Sequence, residues 1–206
     1  MAYSLRKSFG MLILGVILLS ACATTQINSI WKDPSYQLRP AKIMVIGVAK
    51  NPLNRRLFED EFVAQLKNHG TEAVASYTVL SDRQQESHAA IAAKVAELGA
   101  DTVLITRMVS QRTVQTYVPG TIYFPPPHYG TWWDYYGYGY QALSTPGYLT
   151  EDEYAVIETN LYGARDDKLI WAASSETGIS GSSQERIKSY IGVMMKNMAE
   201  QGLLGK

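Results

Sequence analysis

KIMVIGV, residues 42–48, runs within three residues into Asn51-Pro52, and how this junction is read decides the fold. Seven residues rich in β-branched side chains, apolar on both faces, have the length and character of an interior strand covered on two sides. Proline at a first helical position loses nothing by lacking an N–H, so Pro52 marks a helix start. Leu57/Phe58, Phe62/Val63 and Leu66 then recur at helical spacing, and Gly70 ends the element. A strand feeding directly into an amphipathic helix is the first half of a βαβ unit.

The pattern repeats downstream. Glu72 to Leu80 reads as a second strand. Ser81-Asp82 announces a second helix with a buried stripe of Ile91, Val95 and Leu98 and a stop at Gly99. Asp101 to Val118 reads as a long third strand, apolar at first and then alternating with polar residues, as if it leaves the core. These segments make two βαβ units, whose crossovers are right-handed almost without exception. Tyr154–Gly163 and Lys168–Thr177 flank a polar turn at 164–167 and predict a β-hairpin. Ser182, with Glu185 three residues on, predicts a capping box at the head of a final helix whose apolar face holds Ile187, Ile191, Met194, Met195 and Met198. The expected fold class is α/β (α+β). It is a single domain over 42–206 with a mixed sheet, built from two βαβ units followed by a β-hairpin and a C-terminal helix.

The amino terminus has another character. Arg6 and Lys7 precede an apolar run from Met11 to Leu19. As a helix that run spans about 14 Å, against about 30 Å of bilayer hydrocarbon, so it is too short to be a membrane span. It ends in Leu19-Ser20-Ala21-Cys22, and Cys22 is the only cysteine of the chain. A lone cysteine is commonly an inert buried thiol. This one stands at the offset of the lipobox, where bacterial lipoproteins are acylated and cut. The expectation is a cleaved signal peptide over 1–21, lipidation of Cys22 with diacylglycerol and palmitate-type chains, and a polar tether over 22–41. In that tether the apolar pair Ile30-Trp31 signals docking on the domain or an added edge strand. Two or three acyl chains anchor a protein stably. Alanine rather than aspartate at position 23 points to the periplasmic face of the outer membrane in preference to the inner membrane.

Charge excludes some classes of partner. Of 19 Lys and Arg, all but Arg6 and Lys7 remain after residue 21, leaving 17 against 19 Asp and Glu. No basic block survives, so no nucleic acid is expected as a partner. The residual partners are the membrane, through the anchor, and an envelope protein or peptidoglycan.

Residues 119–148 are unusual in composition, with prolines at 125–127, a Trp132-Trp133 pair and the run YYGYGY at 135–140. This stretch has no lysine or arginine, and Asp134 is its only acidic residue. So much proline and glycine excludes a regular helix, while the aromatics argue against a fully solvated coil. Three readings stay open: aromatics folded onto the protein's own sheet, contact with a protein or membrane interface, or stacking on glycan rings. For the latter two the contact residues are Tyr129, Trp132, Trp133, Tyr135, Tyr136, Tyr138 and Tyr140.

No chemistry-bearing motif stands out. His69, His88 and His128 share no metal-ligand spacing, and no nucleophile elbow, P-loop or dinucleotide fingerprint occurs. Glu59-Asp60-Glu61, with Arg55 and Arg56 one turn earlier, reads as an ion-paired helix surface. Asp166 and Asp167 suit a hairpin turn. The loop at 47–51, with Lys50 and Arg55 nearby, offers at most a weak anion site at a helix N-terminus. The expectation is no enzyme, no cofactor and no metal.

Four segments together resemble a loose group of bacterial envelope lipoproteins of the uncharacterised DUF4136 type. They are the lipobox at 19–22, Trp31-Lys32-Asp33-Pro34, Tyr136-Gly137-Tyr138-Gly139-Tyr140, and Lys168-Leu169-Ile170-Trp171. The order of elements is also similar to periplasmic domains of curli-secretion lipoproteins and of lipoprotein activators of penicillin-binding proteins. The resemblance implies a small α/β envelope domain and carries no catalytic residues. The function expected is a lipid-anchored, non-catalytic binding or scaffolding module, with a subunit of an envelope assembly or secretion complex and a peptidoglycan binder as alternatives.

Overall fold

The computed structural model describes residues 25–81, 83–84, 87–120, 131–133, 136 and 146–205. The elements in chain order are β1 (Thr25–Lys32), β2 (Lys42–Val48), α1 (Pro52–Asn68), β3 (Glu72–Ala75), a 3-10 turn (Ser76–Thr78), α2 (His88–Leu98), β4 (Thr102–Val118), β5 (Tyr148–Gly163), β6 (Leu169–Gly178) and α3 (Ser183–Glu200). The strands form one mixed sheet in the order β1-β6-β5-β4-β2-β3. Strands β3, β2 and β4 are parallel, and β4, β5, β6 and β1 alternate in direction.

The two crossovers leave β2 in opposite directions, the first to β3 on one side and the second from β3 to β4 on the other. With one handedness for both, their helices must lie on opposite faces. They do. Ile43 and Val45 of β2 pack with Phe62 and Leu66 of α1 and with Tyr190, Ile191, Met194 and Met198 of α3. Met44 and Ile46 pack on the other face with Ile91, Val95 and Leu98 of α2. Strand β2 is therefore apolar on both sides because both sides are covered.

Three local readings need correction. The second strand stops at Ala75, because Ser76 and Tyr77 turn out of the ladder to donate hydrogen bonds to Glu59. The second helix starts at His88, capped by Ser87; Ser81 instead closes a turn by donating from N and Oγ to Gln84 Oε1 at 2.9 and 2.8 Å. A Ser-x-x-Gln pattern serves either purpose, and here the turn takes it.

The third correction concerns the tether. Thr25–Lys32 is an edge strand, antiparallel to β6 over Thr25↔Thr177 to Lys32↔Trp171. A register shift between Ile27 and Ser29 breaks its alternation, which is why the stretch shows no sustained period. Ile27 packs against the main core. Only Ala23 and Thr24 stand between Cys22 and the sheet, about 10 Å at full extension, so most of the polar tether expected over 22–41 is part of the domain.

Strands β4 and β5 outrun the sheet. They pair continuously from Thr102↔Gly163 to Val118↔Tyr148, with one shift between Met108 and Ser110. Strand β2 accompanies β4 only as far as Arg107, and β6 accompanies β5 only as far as Tyr154. Beyond those points residues 113–118 and 148–153 form a two-stranded ribbon with no further strand paired to it among the described residues. Thr25 pairs with Thr177, Thr177 with Ala155, and Ala155 with Gln111, so the start of β1 is level with the root of this ribbon.

Candidate functional site

A cleft of about 260 Å³ lies at the carboxyl end of β2 and the adjoining middle of β4, on the face covered by α1 and α3. Its floor is the sheet: Gly47 and Val48, Thr106 and Met108, Ala155 and Ile157, and Thr177. Its walls are the first turns of α1, with Asn54, Arg55 and Phe58, and of α3, with Ser183, Arg186, Ile187 and Tyr190. Carboxyl ends of parallel strands are where open α/β sheets form crevices.

Local sequence sets both walls. Asn51 caps α1 by accepting from Leu53 N at 2.9 Å and Asn54 N at 3.4 Å, with Pro52 at the first helical position. Ser182 and Glu185 make the reciprocal capping box of α3. The Glu185 carboxyl is held below its ordinary value chiefly by the hydrogen bond from the Ser182 hydroxyl and then by the Ser182 backbone N–H. Arg186 donates to the carbonyls of Ile179 at 2.7 Å and Gly181 at 2.5 Å, which pins the loop that closes one end of the cleft. Gly47 lets Phe58 pack close: a Cβ there would stand 3.2 Å from Phe58 Cδ1, and the ring would have to give by a few tenths of an ångström.

Beside the cleft sits a buried ion pair that sequence reading placed on the surface. Residues Arg55, Glu59, Phe62 and Leu66 form the buried stripe of α1. Arg55 Nε donates to Glu59 Oε1 at 2.9 Å. The same carboxylate accepts from Gly47 N at 3.0 Å, Ser76 Oγ at 2.8 Å and Tyr77 N at 2.9 Å. Four donors converge on this one carboxylate and bind the end of β2, the end of β3 and α1 together. Arg55 is therefore committed inward, and with Lys50 absent from the cleft lining the expected anion site at 47–51 is not assembled. Asp60 and Tyr77 face outward and share a 2.6 Å hydrogen bond that raises the Tyr77 phenol above its ordinary value.

Under the floor runs a hydroxyl network. Thr106 and Thr159 share a 2.7 Å hydrogen bond, and Thr159 shares another with Tyr190. Tyr190 is buried, and that burial drives its phenol upward against the lowering effect of Thr159, Ser175 and Thr106. Apart from these hydroxyls the cleft presents Phe58, Met108, Ile157, Ile179 and Ile187, with Arg107 and Arg186 at its margins. No aspartate, glutamate, histidine or cysteine lines it. Apolar walls with a few oriented polar groups suit binding of a small molecule.

The residues named from sequence lie elsewhere. Trp132 and Trp133 stack at 4.3 Å between ring centroids, Trp133 meets Tyr136 edge-on at 6.2 Å, and all three are exposed. Cys22, Tyr129, Tyr135, Tyr138 and Tyr140 lie outside the described residues. His69 Nδ1 approaches Gly205 O at 3.2 Å, a tie between α1 and the C-terminus. Among the described residues no group of His, Cys, Asp and Glu could hold a metal ion. No helix among them is long and apolar enough to cross a membrane. The two short motifs Trp31–Pro34 and Lys168–Trp171 meet at one sheet corner, where Lys32 pairs with Trp171 and Asp33 N donates to Ile170 O at 2.8 Å.

No protein-family model matches the chain, and no curated protein matches it, so the DUF4136-type resemblance rests on its short motifs alone. Among solved structures, the chain is similar to a PelC dodecamer from Paraburkholderia phytofirmans at 10% identity, with 88% of this chain and 99% of that one covered and a TM-score of 0.48. It is also similar to lipoprotein GNA1162 from Neisseria meningitidis at 15% identity, with 79% and 97% covered and a TM-score of 0.41. At this level of likeness no residue role is transferred.

Proposed function

We propose that the protein is a lipid-anchored, non-catalytic envelope lipoprotein, acylated at Cys22, that binds a small apolar or amphipathic molecule in the cleft between α1 and α3. The composition of that cleft supports the reading: its walls are largely apolar, and its polar groups are hydroxyls, the carboxamides of Asn54 and Gln111, and guanidinium groups. The lipobox at 19–22 supports the anchor, and the outer-membrane preference follows from Ala23.

Two measurements test it. Growth with labelled palmitate marks the mature chain, and Cys22→Ser abolishes both the label and membrane fractionation. A fluorescent apolar anion such as anilinonaphthalene sulfonate binds the purified folded protein, and Ala155→Leu, which fills the floor, weakens that binding at least tenfold with an unchanged circular-dichroism spectrum. Equal probe binding by both proteins refutes the cleft as the site.

A further inference from the structure

The anchor and the ribbon leave the sheet from the same end, and the ribbon is the longer of the two. From Gln111, level with Thr25, to Val118 is seven residues, about 23 Å of strand. From Thr25 back to Cys22 is three residues, about 10 Å at most. An acylated Cys22 sits at the bilayer surface and holds Thr25 within about 10 Å of it, so the ribbon is long enough to reach that surface.

The ribbon's end has the chemistry for that contact. Tyr117, Tyr148 and Leu149 are each about 60% exposed, at 62%, 60% and 62%. They occupy the last two rungs, Tyr117↔Leu149 and Val118↔Tyr148. Exposed, adjacent large side chains on a ribbon to which no further strand is paired among the described residues make a contact surface. The chain that joins its two ends carries the exposed Trp132-Trp133 pair and no lysine or arginine. Tyrosine and tryptophan are the side chains that favour the membrane–water boundary.

Depth is limited by charge. The rung below the tip is Thr116↔Thr150, and then come Glu151, Asp152 and Glu153 opposite Gln115, Val114 and Thr113. Carboxylates resist leaving water, so only about two rungs, roughly 7 Å, can enter. That is the depth of an interfacial segment. The acid belt also disfavours anionic headgroups.

We infer that the β4–β5 ribbon is a second membrane contact, its Tyr117/Val118/Tyr148/Leu149 end seated in the interface of a zwitterionic leaflet a short distance from the acylated Cys22. The inference rests on the anchor proposed above. With both points engaged the domain is held at two places and cannot swivel freely about its lipid.

The test uses the full acylated protein in phosphatidylcholine–phosphatidylethanolamine vesicles. With the sulfur of Cys22 acylated, Leu149→Cys supplies the one free thiol for an environment-sensitive fluorophore. Glu97→Cys, at the far end of α2 from the ribbon, is the control. The label at 149 is expected to shift to the blue and to be quenched at least twofold by lipids spin-labelled near the headgroup, with the label at 97 unquenched. The quenching is expected to fall when phosphatidylglycerol replaces half of the lipid. Protein that floats with vesicles while both labels stay unquenched overturns the ribbon contact and leaves the anchor standing. A label at 149 that is shielded in cells but unquenched in vesicles overturns it in favour of a protein partner. Protein that does not float removes the anchor, and this inference with it.

Discussion

Arg55 and Glu59 form an ion pair one helical turn apart with neither side chain open to solvent, at 7% and 0% exposure. Buried charges of this kind are stable only while each has its partner. Glu59→Gln leaves the guanidinium uncompensated and is expected to cost about 3–5 kcal/mol. Arg55→Met/Glu59→Leu recovers part of that loss, since Gly47 N and Tyr77 N still lack an acceptor. Urea unfolding of the mature chain carrying Cys22→Ser, followed by circular dichroism, measures both.

The head of α3 gives a second expectation. Ser182→Ala removes the cap and is expected to cost about 1 kcal/mol. The Glu185 carboxyl lies below its ordinary value of 4.5 in the folded protein, so its contribution is present above that pH and is lost as pH falls through the folded value. Stability measured from pH 6 down to pH 3 should therefore fall less steeply in Ser182→Ala than in the parent.

At alkaline pH the sign reverses. Tyr190 holds its proton in the fold well above the ordinary phenol value of 10.0, and the unfolded chain releases it there. Its contribution is full below pH 10 and declines as pH rises beyond it. Tyr190→Phe is expected to cost about 1 kcal/mol near neutrality through the lost hydrogen bond. It should flatten the alkaline limb of the stability profile.

The two tryptophans of the short motifs should behave differently. Trp171 is fully buried and donates from Nε1 to Asn197 Oδ1 at 3.2 Å, so Trp171→Ala is expected to cost about 3–5 kcal/mol. Trp31 lies on the open face of β1, where Trp31→Ala is expected to change stability by about 0.5 kcal/mol or less. Thermal melts of the two variants check this contrast.

Much of the architecture was legible because periodicity and punctuation agree locally. Pro52 after Asn51, Gly70, Gly99 and the Ser182–Glu185 pair each mark an element end by chemistry confined to a few residues. Most of the failures were non-local. Nothing in residues 55–61 tells that two of its charges face inward, because the reason lies in the backbone of Gly47 and Tyr77. Nothing near Ser81 tells that Gln84 will turn back on it before Ser87 caps the helix. Strand β1 hid behind its bulge, and its partner is nearly 150 residues away. The cleft combines six elements, so only the loop at 47–51 hinted at it; the aromatic stretch, conspicuous in composition, took the attention instead.

The hydrogen bond between the hydroxyls of Thr25 and Thr177, at 3.0 Å, joins residues 152 apart in the chain. The strand made first can thus be placed only after nearly everything else has been synthesised and exported. Loop closure over such a span is slow relative to local helix and hairpin formation. Until then β6 offers a bare edge, the kind of template that recruits neighbouring chains. Acylation at Cys22, as proposed above, would keep the first strand close to that edge throughout maturation, and the lipid would then aid completion of the fold as well as serve as an address.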